Sequence, residues 1–174
     1  ENEHSQKYAL LSVNDTRGIT DFTKGLSAIG YQIIATEGTA SILDVPDYSL
    51  QRVPHLIDWK IMTGILYRRN DSDDIEEARQ LGINDVSLVI VNLPAKAADN
   101  NLEIEQVTAL RAAAKNHLHV IPVVDPLDYE FVLDVLKSGK DNYALRVKFA
   151  AKAFQHVAAY NEMIQAHMQK SSQK

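Results

Sequence analysis

Short apolar runs alternate with stretches of helical periodicity along most of this chain of 174 residues. The apolar runs predict β-strands at 8–13, 31–35, 61–66, 86–93 and 120–124. The run at 86–93 is apolar at nearly every position, so we expect it to be buried on both faces. Apolar residues spaced by three or four predict helices at 19–29, 40–43, 72–81, 103–116, 126–138 and 143–168. The segment 44–59 shows neither pattern and is predicted to be irregular.

Strands separated by helices predict an α/β fold with three layers, a doubly wound and mostly parallel sheet between two layers of helices. No repeat, low-complexity block or linker divides the sequence, so we predict a single domain over 8–168. The polar ends, 1–7 and 169–174, are expected to be disordered.

Composition narrows the classes of function. Apolar residues make up 45% of the chain and charged residues 24%, which is typical of a globular protein. The net charge of −5 argues against a broad nucleic-acid surface but leaves room for a small anion at a local cluster of cations. There is no cysteine, so disulfides and thiolate chemistry are excluded. No apolar run is long enough to span a bilayer, so we expect no membrane partner. We also expect no nucleic-acid partner, because of the net charge, and a cytoplasmic location.

The turns that follow the predicted strands are polar and contain glycine. They lie at 12–18, at 36–39 and after Asn92. In a doubly wound sheet, ligands bind at the carboxyl ends of the strands, and a helix that begins there offers free N–H groups to an anion. The sequence therefore predicts a ligand site at these turns.

Six segments, in order, resemble the IMP cyclohydrolase domain of the bifunctional purine-biosynthesis enzyme, AICAR formyltransferase/IMP cyclohydrolase. The most specific is the run Arg-Ala-Ala-Ala-Lys-Asn-His at 111–117. The other segments are Ser-Val-Asn-Asp at 12–15, Ile-Ala-Thr-Glu-Gly-Thr-Ala at 34–40, Val-Asn-Leu at 91–93, Val-Val-Asp-Pro at 123–126 and Ala-Lys-Ala-Phe-Gln-His at 151–156. Together they cover roughly 8–165.

The resemblance implies a methylglyoxal-synthase-like fold, a homodimer, and a reaction that closes the purine ring of a formylated ribonucleotide to give IMP, without metal or cofactor. By position, Lys115 matches a catalytic lysine of the family, and Glu103 stands where the family has an aspartate. The positions that would hold the ligand or its phosphate are Ser12, Arg17, Thr36, Gly38, Thr39, Lys60, Thr63 and Asn92.

Several positions depart from the family pattern at the ligand end. Met62 replaces a lysine, and Met cannot donate a charged hydrogen bond. Glu37 replaces a glycine that faces phosphate, and Glu105 and Gln106 replace two glycines that let the backbone approach the ligand. A Leu-His-Pro stretch and a tyrosine of the family are missing. These departures predict that ring closure is impaired or lost while a purine ribonucleotide or another small anion is bound.

Other interpretations remain open at this stage. The chain is alternatively an active cyclohydrolase that relies on Glu103 and Lys115, or a scaffold for a protein partner. The apolar stripe of the last helix would serve that partner, or else the domain's own core; it comprises Phe149, Ala153, Val157, Tyr160 and Ile164. His117 and His119 would bind a metal only if a third ligand such as Asp125 converged on them, and we expect no metal.

Overall fold

A computed structural model describes residues 6–98 and 102–172. The strands are β1 (Lys7–Val13), β2 (Gln32–Thr36), β3 (Leu50–Val53), β4 (Asp85–Asn92) and β5 (Ile121–Val123). The helices are α1 (Ile19–Ala28), α2 (Glu37–Ala40), α3 (Trp59–Leu66), α4 (Ser72–Gln80), α5 (Ile104–Lys115), α6 (Tyr129–Ser138) and α7 (Tyr143–Ser171). Short 3-10 turns lie at Asp47–Ser49 and Pro126–Asp128.

The five strands form one sheet in the order β3-β2-β1-β4-β5, and all four pairings are parallel. The chain therefore starts at the centre, builds outward through β2 and β3, and then returns to the other side of β1 with β4. The winding direction reverses between β1 and β4, which is the topological switch of this sheet.

Helices cover both faces of the sheet. On one face α3, α5 and α7 pack through residues such as Ile65, Leu110 and Ala153 onto Leu10 and Val89. On the other face α1 and α6 bury a second set, which includes Phe22, Leu26 and Val132 with Leu11 and Ile90. The predicted three-layer, doubly wound α/β fold is confirmed, and β4 is buried along nearly its whole length as the sequence indicated.

The prediction of a strand at 61–66 is wrong, because this segment is part of helix α3. Asp58 begins the helix: its carboxylate accepts hydrogen bonds from the N–H groups of Lys60 (2.9 Å) and Ile61 (3.2 Å). Within the helix, Ile61 and Ile65 face the core one turn apart. The segment predicted to be irregular contains the edge strand β3.

The described elements extend beyond the predicted domain limits of 8–168. Lys7 belongs to β1, and α7 continues to Ser171. The prediction of disordered ends otherwise falls on 1–5 and 173–174, which lie outside the described residues. Over 6–98 and 102–172, no helix is both long and apolar enough to cross a membrane.

The apolar stripe of α7 belongs to the domain's own core. Phe149, Ala153, Val157 and Tyr160 are all buried, and Ile164 is half-buried against them. This stripe is therefore not a free surface for a protein partner.

Candidate functional site

Three hydroxyl side chains meet where β1 and β2 end. Ser12 is the last residue but one of β1 and Thr36 the last of β2, so the parallel pairing of these strands brings them together. The hydroxyl of Thr36 donates to Ser12 Oγ at 3.2 Å, and Thr39 Oγ1 accepts the N–H of Val13 at 3.0 Å. Ser12 and Thr39 are buried. We call Ser12, Thr36 and Thr39 the hydroxyl cluster.

Of the two residues that replace family glycines at the start of α5, Gln106 contacts the hydroxyl cluster and Glu105 contacts the segment before α3. The amide of Gln106 donates to Ser12 Oγ at 3.2 Å. The carboxylate of Glu105 accepts the N–H of Leu56 at 2.7 Å and lies 3.0 Å from His55 Nδ1. The Gln106 amide thus occupies the Ser12 hydroxyl, which the resemblance counts among the ligand positions.

The other residues predicted to hold a ligand lie on the turn after β2 and on helix α3. They are exposed to solvent or lie within the helix. Gly38 is exposed, with open space where a Cβ would stand. Glu37 forms an exposed ion pair with Arg52 (3.1 Å). Lys60 is exposed, with its Nζ 5.5 Å from the Trp59 ring centroid, and lines a groove of about 360 Å³ between β3 and α3. Thr63 is half-buried in the middle of α3.

Asn92 connects the end of β4 to the loop after β1. Its Oδ1 accepts the N–H groups of Asn14 and Asp15, each at 2.6 Å, and its Nδ2 donates to the carbonyl of Asp15 at 2.9 Å. Arg17, in the same loop, makes a bidentate ion pair with Asp15, and this contact lowers the pKa of the Asp15 carboxyl. Asn92 therefore shapes the loop, and Arg17 is held beside Asp15 rather than in the hydroxyl cluster.

A cleft of about 730 Å³ opens at the carboxyl ends of β1, β4 and β5. We call it the switch cleft; it is lined by Asn14, Asp15, Arg17, Asn92, Leu93, Pro94, Ala95, Val124, Asp125, Pro126, Lys152, Gln155, His156 and Ala159. On its α7 wall, Lys152 Nζ donates to Asp125 (2.8 Å) and Asp128 (2.7 Å). His156 Nε2 accepts the N–H of Leu93 at 3.1 Å, and burial lowers the pKa of His156.

The two predicted catalytic residues lie at opposite ends of α5. Glu103 is the N-cap residue, and its N–H donates to the Tyr160 hydroxyl at 2.7 Å. Lys115 is the last residue of the helix, and twelve residues at 1.5 Å each separate the two by about 18 Å. Asn116, which follows, donates to the carbonyl of Ile65, toward the edge where β4 begins. The structure does not bring Glu103 and Lys115 together, and Arg111 and Lys115 are both exposed.

Sequence reasoning missed the α7 wall of the switch cleft. Lys152 and His156 precede the apolar positions Ala153 and Val157, so the pattern shows only an amphipathic helix. Two signals were available: Asp125 follows β5 at the predicted ligand edge, and Lys152 and His156 lie in the family-like segment at 151–156. Among the described residues, no three His, Asp or Glu side chains are placed to share a metal ion.

Comparison with known proteins agrees with this architecture. The MGS-like domain family matches 18–123, and the AICARFT/IMPCHase bienzyme family matches 113–174. The bifunctional purine biosynthesis protein PurH of Lactiplantibacillus plantarum is 38% identical over 187 residues, which cover 93% of this chain and 37% of that protein. PurH of Streptococcus gordonii is also 38% identical, over 91% of this chain and 36% of that protein.

The chain thus spans a little more than a third of the length of these curated relatives. The crystal structure of ForH superimposes with a TM-score of 0.82 and 31% identity, over 92% of this chain and 98% of the ForH chain. Taken together with the parallel five-stranded sheet, these matches show that the chain belongs to the MGS-like domain family, as an IMP cyclohydrolase-like domain of the PurH type.

Proposed function

We propose that this chain is a purine-ribonucleotide-binding domain of the PurH type that no longer closes the purine ring. The observation that carries the proposal is the contact of Gln106 with Ser12, together with that of Glu105 with the Leu56 N–H. Both side chains stand where the resembling family has glycine; Gln106 contacts the hydroxyl cluster, and Glu105 ties the start of α5 to the segment before α3. A substrate must displace the Gln106 amide before its formyl group is oriented.

Side chains that would promote ring closure in the family are also absent from this chain or make other contacts. Met62 stands in place of a family lysine and packs, half-buried, against the core. A thioether cannot stabilise the negative charge that develops on the formyl oxygen during ring closure. Loss of a single oriented donor typically lowers a rate by roughly 10²–10³-fold, and this site lacks more than one.

Binding is supported by the hydroxyl cluster, whose Thr36 and Thr39 lie on the turn at 36–39. Ser12, Thr36 and Thr39 present neutral donors and acceptors suited to ribose or to a carboxamide. Glu37 adds a carboxylate to the same turn, and a like charge weakens attraction for phosphate. We therefore expect weak nucleotide binding.

The homodimer implied by the resemblance belongs to the same proposal, and sedimentation equilibrium tests it.

Calorimetric titration with IMP, AICAR and inorganic phosphate tests the binding, and an ultraviolet assay with formylated AICAR tests ring closure. The sharpest variant is the double change Glu105→Gly, Gln106→Gly, which introduces both family glycines and removes the Gln106 amide from Ser12. We expect IMP to bind the double variant about tenfold more tightly than the original chain. Lys115→Ala, at the far end of α5, is the matched control and should leave binding unchanged. Measurable ring closure by the original chain would contradict the proposal.

A second candidate is an active cyclohydrolase, and one observation favours it. The Glu103 carboxylate is half-buried at the start of α5 and makes no hydrogen bond or ion pair with a residue in 6–98 or 102–172. Such a carboxylate is available as a general base. Ring closure that disappears in Glu103→Gln would establish this alternative.

A further inference from the structure

A cavity of about 210 Å³ opens at the amino ends of β1, β4 and β5, at the end of the sheet opposite to the hydroxyl cluster. Along β1, about 16 Å of strand separates Lys7, which lines this cavity, from Ser12. None of its lining residues is a position that the family resemblance assigns to a ligand. We call it the amino-end cavity; its polar lining includes Lys7, Tyr31, Asp85, His119, Asp141 and Arg146. We propose that the amino-end cavity binds a small organic carboxylate.

One wall of the cavity is an ion pair that has no donor left for a ligand. The side chains of Arg69 and Asp85 are 15% and 14% exposed, and Arg69 Nη2 lies 2.7 Å from Asp85 Oδ1. The same guanidinium also donates to backbone carbonyls, those of Gly64, Ile65, Tyr67 and Val86. Its five N–H groups are therefore all engaged. Arg69 holds this wall in place, and Asp85 balances its charge.

Arg146, near the start of α7, keeps donors that a ligand can use. Its Nε and Nη2 donate to the carboxylate of Asp141, and its Nη1 donates to the carbonyl of His117 at 3.3 Å. A guanidinium has five N–H groups, so one on Nη1 and one on Nη2 have no partner within 6–98 and 102–172. The fork with Asp141 fixes the side chain against the cavity, and a carboxylate is the anion that two neighbouring N–H groups of arginine bind best.

Tyr31 contributes a buried hydroxyl whose proton is not used. The residue is 7% exposed, and among the described residues its hydroxyl contacts only Ser87 Oγ, which donates to it at 3.5 Å. The charges of Arg146, Asp85 and Asp141 act on the pKa of this phenol, so the hydroxyl lies beside the charged groups of the cavity. Burial is the main effect and raises the pKa of Tyr31. The phenol therefore keeps its proton at neutral pH and can donate it to an anion.

Two further side chains supply donors at the mouth of the cavity. Lys7 is exposed, and its ammonium group makes no hydrogen bond or ion pair in the part of the chain that the structure describes. The ring of His119 is half-buried and makes no hydrogen bond there either. Burial and the charges of Arg69 and Arg146 lower the pKa of His119, so at neutral pH the ring is uncharged and one of its nitrogens carries a donating N–H.

The balance of charge and the size of the cavity favour a small monoanion. With the histidine ring neutral, the lining has three cationic and two anionic side chains, which leaves one positive charge. A single carboxylate neutralises this charge, whereas phosphate, which is close to a dianion at neutral pH, would add repulsion from Asp85 and Asp141. The volume lies below the roughly 300–1,000 Å³ of sites for drug-sized ligands, so the acid has only a short carbon chain.

Titration of the full chain with sodium acetate tests the site, with sodium chloride added to keep the ionic strength constant. The measured signals are the NMR resonances of the His119 ring, identified by their absence from His119→Gln. They should shift along a saturating curve. Bound acetate should also raise the pKa of His119, because an anion favours the charged ring. By linkage, acetate should bind more tightly at about pH 6 than at about pH 8.

Tyr31→Phe removes one donor and leaves the rest of the cavity in place. It should weaken acetate binding about fivefold, which is the loss of one hydrogen bond. Tyr8→Phe is the matched control, since Tyr8 packs into the core on the other face of the sheet. It should bind acetate like the original chain. Equal midpoints of urea unfolding would show that neither variant has lost its fold.

The possible results separate this site from the hydroxyl cluster. Glu105→Gly, Gln106→Gly should leave acetate binding unchanged, because its two substitutions lie at the other end of the sheet. Weaker acetate binding in that variant would place the anion at the hydroxyl cluster and overturn the amino-end site, while leaving the proposed function intact. Shifts that do not saturate, equal binding by Tyr31→Phe and Tyr8→Phe, or tighter binding of inorganic phosphate than of acetate would also overturn it.

Discussion

Asn92 and Asp15 exchange two hydrogen bonds across the switch of the sheet. The N–H of Asp15 donates to Asn92 Oδ1 at 2.6 Å, and Asn92 Nδ2 donates to the carbonyl of Asp15 at 2.9 Å. Asn92 is 4% exposed, so its amide makes these bonds largely out of contact with water. A residue that the family resemblance placed among the ligand contacts therefore also fixes the backbone of the loop after β1.

Asn92→Ala should lower the free energy of unfolding by about 1–2 kcal/mol, because it removes the acceptor of the part-buried N–H groups of Asn14 and Asp15. Urea denaturation followed by circular dichroism measures this loss. Asn70→Ala, at an exposed turn, is the control and should change stability by less than about 0.5 kcal/mol. Equal effects from the two substitutions would show that the Asn92 amide does not support the loop.

Gly64→Ala should destabilise the domain through a clash between helix α3 and the segment before β4. A Cβ at this position would stand 2.4 Å from the carbonyl oxygen of Asn84 and 3.2 Å from a methyl group of Val86. Because the first contact is with backbone, α3 must shift, and we expect a loss of about 1–3 kcal/mol in the free energy of unfolding.

Gly38→Ala is the matched control for this substitution, since a Cβ there meets nothing within 4 Å. Thermal melting should leave the midpoint of Gly38→Ala close to that of the original chain and lower the midpoint of Gly64→Ala by several degrees. A melting temperature for Gly64→Ala as high as that of Gly38→Ala would mean that α3 does not pack as closely on Asn84 as described.

The stability of the domain should fall as pH decreases below neutrality. Burial lowers the pKa of His156 and, with the nearby charges of Arg69 and Arg146, that of His119, from the ordinary value of 6.5. A histidine whose folded pKa is lowered stays neutral while the unfolded chain takes up a proton. Its contribution is therefore complete above about pH 6.5 and is lost as pH falls toward the folded pKa.

His156→Gln should reduce this loss, because an amide oxygen can accept the Leu93 N–H without titrating. The measurement is the urea midpoint at about pH 7.5 and about pH 5.5, and His55→Gln, at an exposed ring, is the control. Carboxylates with lowered pKa, such as Asp74 with a pKa of about 2, lose their protective contribution only at lower pH. An unchanged pH dependence in His156→Gln would contradict the role given to this ring.

Much of the fold can be predicted because the apolar and polar residues of a strand or helix reflect how that element is buried. The uniformly apolar run at 86–93 predicts a strand buried on both faces, and β4 has this burial. The run at 61–66 is different, because six mostly apolar residues fit a strand or a buried helix equally well. In the structure, the N-cap Asp58 favours the helix. In the sequence, an aspartate after Ile57 is only a weak sign of a helix start, because no helical periodicity is expected after it.

The sequence predicts the candidate site only in the part where the ends of neighbouring strands bring its residues together. Ser12 and Thr36 meet because parallel strands bring their carboxyl ends to one edge. Motif matching assigns family positions to both Lys115 and Glu103, but it carries no information on the helix that separates them. His156 and Leu93 are 63 residues apart, and their contact depends on how α7 lies across β5, which local sequence does not encode.

The central position of β1 has a consequence for how this chain acquires its structure. Asn14 pairs with Asn92 over a separation of 78 residues, and the β1–β4 ladder lies beside that contact. During synthesis, β1 and β2 emerge together, but the other edge of β1 stays open until β4 has left the ribosome. Closing so long a loop makes folding slow relative to helical domains of the same size. In that interval the exposed edge of β1 is the segment most prone to pair with another chain.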